Sequence, residues 1–132
     1  MKIEFEQPLS LHMEVVETDD HVPSMRVDLK IVAAQFQHTF RYEGSFWIAC
    51  ENWDAFKEAL GSVEREAAVL QDMSGYFALG VQQESNGLSL SWDFAKDDLS
   101  GGRKTKVAFS SPIDDDTLGK IRNEFLEFPS WW

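Results

Sequence analysis

Residues 40–63 have the sequence FRYEGSFWIACENWDAFKEALGSV, and the spacing of apolar residues changes in the middle of this stretch. Up to Ile48 the apolar side chains fall mainly at every second position, which is typical of a β-strand with one buried face. From Trp53 to Val63 they recur at intervals of three or four, which is the spacing of one helix face. The stretch therefore predicts a strand followed directly by an amphipathic helix.

Local features of the same stretch give more specific expectations. Asn52 is a residue type that caps helix N-termini, so we expect the helix to begin there and to end near Arg65. Gly44 interrupts the alternation of the strand, which indicates a bulge or a bend. The strand is expected to begin at Phe36 and to carry His38 on its apolar face, beside Phe40.

Alternating segments lie on both sides of this stretch, at residues 1–7, 11–17, 25–34, 67–73, 76–83, 88–94 and 105–111. Asn86-Gly87, between two of these segments, is a strong signal for a β-hairpin. A second helix is expected to open at Asp114–Thr117 and to stop at Pro129, because carboxylates favour a helix start and proline ends a helix.

The predicted element order is β-β-β-β-α-β-β-β-β-α. This order predicts an α+β fold: an antiparallel meander sheet, or sheets, of about eight strands, with one helix in the middle of the chain and one at the C-terminus packed on the sheet. No repeat, linker or low-complexity stretch divides the sequence, so we expect residues 1–132 to form a single α+β domain.

The charge of the chain is its strongest compositional feature. Its 132 residues contain 23 Asp and Glu but 12 Lys and Arg, a formal net charge of −11. Such a chain repels phosphate and anionic lipid, so we expect no nucleic-acid and no membrane partner. The same charge would accelerate encounter with a basic protein.

The beginning of the sequence bears on location. Residues 1–6 place carboxylates where a secretory signal needs an uninterrupted apolar run. No apolar run approaches the roughly 20 residues that cross a bilayer. The expected location is therefore the cytoplasm.

Residues with reactive side chains do not form a known catalytic pattern. His12, His21 and His38 lack the spacing of metal ligands. Residues 101–104, GGRK, precede a strand, whereas a phosphate-binding loop opens a helix. Cys50 has acidic neighbours, which favours a buried thiol over a nucleophile. We therefore expect a protein that is not an enzyme and needs no metal or cofactor.

Two acidic pairs and a C-terminal tryptophan pair are the candidates for partner binding: Asp97, Asp98, Asp114, Asp115, Trp131 and Trp132. Carboxylates on one shared face would attract a basic protein, and tryptophan is enriched at interaction hot spots. The same residues also fit simpler roles, namely solvation of a loop, capping of a helix, and packing of the chain end on the core.

Residues 25–128 carry a series of patterns in a fixed order: the aromatic strand end at 42–47, Trp53-x-x-Phe56-x-x-x-Leu60, Ala67-x-Val69-Leu70, the strand pair 76–81 and 88–94, and Asp116-x-Leu118-x-x-Ile121. In this order the chain resembles the WapI-type immunity family of bacterial polymorphic-toxin systems. The family usually has a Trp-rich entry to its third strand, where this chain has Val22-Pro23-Ser24-Met25, and this departure leaves the subfamily and the partner open.

The resemblance implies a non-enzymatic protein that binds and occludes a cognate toxin domain, and a net charge of −11 suits a basic toxin. Two alternatives stay open. One is a homodimer formed through the edge strand Ile3–Glu6 and the tail Trp131-Trp132. The other is a small-molecule-binding protein with a pocket between sheet and helices, using Cys50 or His38.

Overall fold

The computed structural model describes all 132 residues, Met1–Trp132. The ten elements in chain order are β1 (Lys2–Phe5), β2 (Ser10–Asp19), β3 (Ser24–Gln35), β4 (His38–Ala49), α1 (Cys50–Leu60), β5 (Ala68–Gln71), β6 (Phe77–Glu84), β7 (Gly87–Asp98), β8 (Arg103–Ile113) and α2 (Asp115–Glu127). Neither helix is long and apolar enough to cross a membrane.

The eight strands form two four-stranded antiparallel sheets. The first sheet has the order β1-β2-β3-β4 and the second has the order β5-β6-β7-β8, so each is a meander of consecutive strands. A helix follows each sheet, and the order ββββα therefore occurs twice. The predicted α+β class, with antiparallel meander sheets of eight strands and two helices, is confirmed.

Strand β3 shows why the sequence forms this sheet. Its odd-numbered residues from Met25 to Ala33 are all buried, and the residues between them point outward, as their alternation predicts. Apolar side chains from both sheets and both helices merge into one continuous core of 27 buried residues. Burial of this apolar surface is the main source of stability.

The hairpin of β3 and β4 crosses the strands of the second sheet one after another. Contacts that define the crossing are Gln35 with Ser110 of β8, Tyr42 with Phe94 of β7, Phe46 with Phe77 of β6, and Trp47 with Met73 just after β5. Steeply crossing sheets diverge at their corners, and such corners leave room for clefts.

The helices close the core and one edge of each sheet. Trp53 of α1 is fully buried and packs on Phe125 of α2, with ring centroids 5.2 Å apart. The backbone N–H of Glu4 in β1 donates to a carboxylate oxygen of Glu124 at 2.8 Å. These contacts fix both helices against strand edges, where open backbone groups would otherwise invite association.

Asn52 does not have the predicted capping role. Helix α1 begins at Cys50, and the residue before it, Ala49, makes no side-chain cap. The side-chain oxygen of Asn52 instead accepts a hydrogen bond from the backbone N–H of Gln71, at 2.9 Å, which closes the edge of β5. The helix also ends earlier than predicted, at Leu60.

The predicted strand 36–48 is shorter than expected, because Phe36 and Gln37 form the turn between β3 and β4. Both residues have positive φ, 54° and 66°, as a two-residue hairpin turn requires. Phe36 is therefore 89% exposed, and His38 is exposed at the start of β4 rather than on an apolar face.

The predicted bulge at Gly44 is absent, since Gly44 pairs with Leu29 in an unbroken register. The glycine is needed for another reason. A Cβ at this position would lie 2.9 Å from the ring carbon Cζ of Tyr42, so the ring packs over the space that a side chain would fill.

Candidate functional site

The predicted acidic residues Asp97 and Asp98 lie at the end of β7, directly across from cations of β8. Asp97 pairs with Lys104 in the sheet register, and their side-chain charges are 3.7 Å apart. Asp98 faces Arg103 at 3.5 Å. Hydrogen bonds from the backbone N–H of Gly101 and then from Ser100 also lower the pKa of Asp98. Both carboxylates are thus satisfied within their own hairpin.

The hairpin end around these residues is basic. Residues 96–106 contain four cations, Lys96, Arg103, Lys104 and Lys106, against only the two carboxylates. The remaining chain therefore has 21 carboxylates and eight cations. The negative charge is therefore unevenly distributed. It lies outside this hairpin, although the sequence analysis named Asp97 and Asp98 as acidic candidates for partner binding.

Asp114 and Asp115 occupy the start of α2, as the sequence predicted. The side chain of Asp114 caps the helix by accepting a hydrogen bond from the Thr117 N–H at 2.7 Å. Asp115 is exposed in the first turn. These residues follow the last residue of β8, whereas Asp97 and Asp98 pair with its first two. Because β8 has 11 residues, the two acidic pairs are separated by about 35 Å.

The tail residues Trp131 and Trp132 pack against the hydrophobic core and are half-buried. The two rings meet edge to face, with centroids 5.5 Å apart. The indole N–H of Trp132 donates to a carboxylate oxygen of Asp54 in α1 at 2.8 Å. The chain end therefore folds back on its own helix, which is the simpler of the two roles that the sequence allowed.

A cleft that sequence analysis did not find opens between β4 and the second sheet. Its volume is about 450 Å³. Consecutive residues 41–46 of β4 form one wall, and the other walls come from the second sheet and the turn before β6. Aromatic and aliphatic side chains dominate its apolar part: Tyr42, Phe46, Tyr76, Phe77, Phe94 and Val107. We refer to it as the inter-sheet cleft.

The rings of the inter-sheet cleft form a connected cluster. Tyr42 lies 5.7 Å from Phe77 and 5.5 Å from Phe94 between ring centroids, and Phe46 lies 4.8 Å from Phe77. Lys96 places its ammonium group 5.1 Å from the centre of the Tyr76 ring. One aromatic face of the cleft is thus already in contact with a cation of the chain itself.

Asp72 is a buried carboxylate in the wall of this cleft, only 6% exposed. One of its oxygens, Oδ1, accepts a hydrogen bond from the buried backbone N–H of Phe77 at 2.8 Å. No Lys or Arg nitrogen lies within 4.0 Å of its carboxylate. Burial is the larger cause of the raised pKa of Tyr42, and the charge of Asp72 is the second cause. The two side chains are therefore close enough to interact electrostatically.

Cys50 and His38 do not form a common site. Cys50 is 2% exposed, and burial, followed by the charge of Asp54, raises the pKa of its thiol. The predicted buried cysteine is confirmed. His38 lies at the opposite end of β4, about 40 Å away along the strand. Neither of the residues named for a small-molecule pocket lines the inter-sheet cleft.

Most carboxylates of the chain have no nearby cation. Seven of the 23 lie within 4.0 Å of a Lys, Arg or His nitrogen, which leaves sixteen without such a partner. Helix α1 and the residues that follow it carry several of these, including the exposed Glu51, Glu58 and Glu64. The field of these groups extends into solvent, where water and salt screen it.

The fold and cleft define a two-sheet α+β protein with a strongly negative body and a short basic hairpin. Comparison with known proteins gives no match to a protein-family model and no match to a curated protein. The resemblance to WapI-type immunity proteins stays a prediction.

Proposed function

We propose that this chain is a non-enzymatic, immunity-type binding protein that occludes a basic partner domain in the cytoplasm. The observation that carries the proposal is the net charge of −11. Sixteen of the 23 carboxylates have no cation within 4.0 Å. Unpaired surface charge of one sign attracts a partner of the opposite sign. The resemblance to WapI-type immunity proteins gives the proposal its biological class.

Binding would proceed in two physical stages. The negative body first steers a basic domain toward the protein, and this stage depends on ionic strength. A desolvated contact then slows dissociation, and aromatic side chains supply most of the energy of such contacts. The inter-sheet cleft offers a concentration of aromatic surface for this second stage.

The direct test is co-purification of the chain with the toxin-like domain encoded beside its gene, together with growth protection when both are expressed. A submicromolar complex and protection are expected. No complex tighter than micromolar, and no protection, would contradict the proposal.

Association kinetics test the electrostatic part separately. We expect Glu58→Lys combined with Glu64→Lys to slow association several-fold at low salt, because both carboxylates are exposed and unpaired. The difference should shrink as salt is raised. Lys57→Glu, next to Glu58 on α1, is the control of opposite sign and should accelerate association. Association rates that are unchanged by all three substitutions would exclude electrostatic steering by this surface.

A further inference from the structure

Strand β4 presents unpaired backbone groups along the inter-sheet cleft. The two-residue turn at Phe36-Gln37 makes Gln35 and His38 a hydrogen-bonded pair, and such pairs alternate along an antiparallel ladder. Even-numbered residues of β4 therefore bond to β3, and the odd-numbered ones direct their N–H and C=O groups to the free edge. The Trp47 carbonyl fits this alternation, because it accepts a hydrogen bond from the Met73 N–H at 2.8 Å on that edge.

Arg41, Glu43 and Ser45 share this outward orientation, and no backbone or side-chain group of the protein bonds to their main-chain N–H or C=O. They are three consecutive outward positions, and all line the cleft. The segment is thus an open strand edge that faces a cavity rather than a flat exposed surface.

Specific groups block parts of the other sheet edges. Glu124 bonds to the edge of β1 and Asn52 bonds to the edge of β5. On β8, Gln35 donates to the Ser110 carbonyl at 3.0 Å, and Pro112 lies farther along the same strand. Natural proteins protect edges in these ways against unwanted pairing. The outward N–H and C=O groups of Lys104, Lys106 and Ala108 on β8 also have no partner, so β4 is not the only open edge. The open part of β4 differs in supplying six consecutive residues to the wall of a cleft.

The cleft beside this edge can take side chains from an added strand. Successive side chains of a strand alternate between the two faces, so every second one would enter the cleft. There they would meet Phe94 and Val107 on the second sheet and Phe46 on β4. Backbone pairing for affinity, with pockets for alternate side chains, is how proteins bind peptides by strand addition.

Asp72 adds a preference for charge. Its carboxylate is 6% exposed, lines the cleft and has no cation within 4.0 Å. A buried charge is unfavourable unless it is paired. A lysine or arginine of an incoming segment would supply the missing partner.

We infer that β4 binds an extended segment of a basic partner protein as a fifth strand of the first sheet. Apolar side chains of the segment fill the inter-sheet cleft, and one lysine or arginine pairs with Asp72. This inference rests on the proposed function for the identity of the partner, but the strand-addition site can be tested without the partner.

The first test uses an acetylated eight-residue peptide in which threonine alternates with valine, except that a single lysine replaces one central valine. The lysine then lies on the same face as the remaining valines and can enter the cleft with them. Calorimetry measures the binding of this peptide to the full chain. Ser45→Pro removes an outward N–H inside the cleft, and proline is tolerated on an edge strand at such a position. We expect binding to weaken by about tenfold, through the lost hydrogen bond and the clash with the added strand. Thr39→Pro is the matched control, because it removes an outward N–H beyond the cleft and should leave binding unchanged.

Asp72→Asn tests the charge preference with a side chain of the same shape. The peptide should bind about tenfold more weakly to this variant, because a charged pair is replaced by a neutral contact. The same peptide with one central residue replaced by proline should not bind at all. Equal binding to wild type, Ser45→Pro and Asp72→Asn would overturn the inference, since it would show attachment by charge alone.

Hydrogen exchange gives a readout that does not depend on variants. In the free protein the amides of Arg41, Glu43 and Ser45 should exchange quickly, and those of Tyr42 and Phe46 slowly. Peptide binding should slow the first group and leave the second unchanged. If peptide binding slowed exchange equally at odd-numbered and even-numbered residues of β4, the result would contradict strand addition.

The toxin-like partner separates this inference from the proposed function. A complex that forms equally well with Ser45→Pro and Thr39→Pro would leave the function standing and reject β4 as its site. Peptide binding with the expected alternation, but no complex with the partner, would support the strand site and reject the proposed function. Failure of both measurements would reject both.

Discussion

The buried carboxylate Asp72 allows a stability prediction that can be worked out from its contacts. Replacing it by alanine removes the acceptor of the Phe77 N–H, which is bonded at 2.8 Å, and Phe77 itself is 1% exposed. A buried donor left without a partner costs about 1–3 kcal/mol. Asp72→Asn keeps an acceptor oxygen in place, so it should stay within about 1 kcal/mol of wild type.

Thermal unfolding converts this difference into a temperature. For a chain of 132 residues the entropy of unfolding is about 0.28 kcal/mol/K, so a loss of about 2 kcal/mol lowers Tm by about 7 °C. Asp93→Ala serves as the control, because Asp93 is exposed in the same sheet and should change Tm by no more than about 2 °C. If Asp72→Asn were as unstable as Asp72→Ala, or if Asp72→Ala matched wild type, the assigned hydrogen bond would be wrong.

Three further predictions concern the helices and the thiol. Phe125→Ala should destabilise the protein by about 3–5 kcal/mol in urea unfolding, because a fully buried ring is replaced by a cavity; a loss below about 1 kcal/mol would contradict its core position. Hydrogen bonding by Thr117, through its side chain and backbone N–H, lowers the pKa of Asp114. The stability that Asp114 has over Asp114→Ala should therefore be complete above the ordinary pKa of about 3.9 and disappear as pH falls through the lowered value, and a difference independent of pH would refute this. Cys50 should react with a thiol reagent only after unfolding, because burial raises its pKa and blocks access, whereas rapid labelling of the native protein would disprove the burial.

Element type and order follow from sequence because they depend on local periodicity. The alternation from Met25 to Ala33 buries its apolar side chains only in a strand, and this segment is a strand in the structure. The spacing from Trp53 to Val63 buries its apolar side chains only in a helix, and these side chains are buried. The turn at Phe36-Gln37 was missed because neither residue is a usual choice for positive φ. The sheet pairing forces that conformation, and no local signal indicates it.

The candidate site could not be predicted, because it depends on contacts between distant segments. The sequence does not show that Asp97 and Asp98 have partners. Only the strand register places Lys104 and Arg103 opposite them. The cleft forms where residues 41–46 pass over the far end of the second sheet. Asp72 could have been noticed only as a carboxylate after an apolar strand, which is a common and unspecific pattern.

Each helix follows one sheet in the chain but closes an edge of the other. Helix α1 comes after the first sheet and supplies Asn52 to β5, while α2 comes after the second sheet and supplies Glu124 to β1. The two halves of the chain are therefore interlocked, although each has the same element order. A cut in the connection 61–67 would leave two fragments. Each fragment would expose the strand edge that the helix of the other fragment covers, β1 in the first and β5 in the second. Only reassembly of the two fragments could cover both edges.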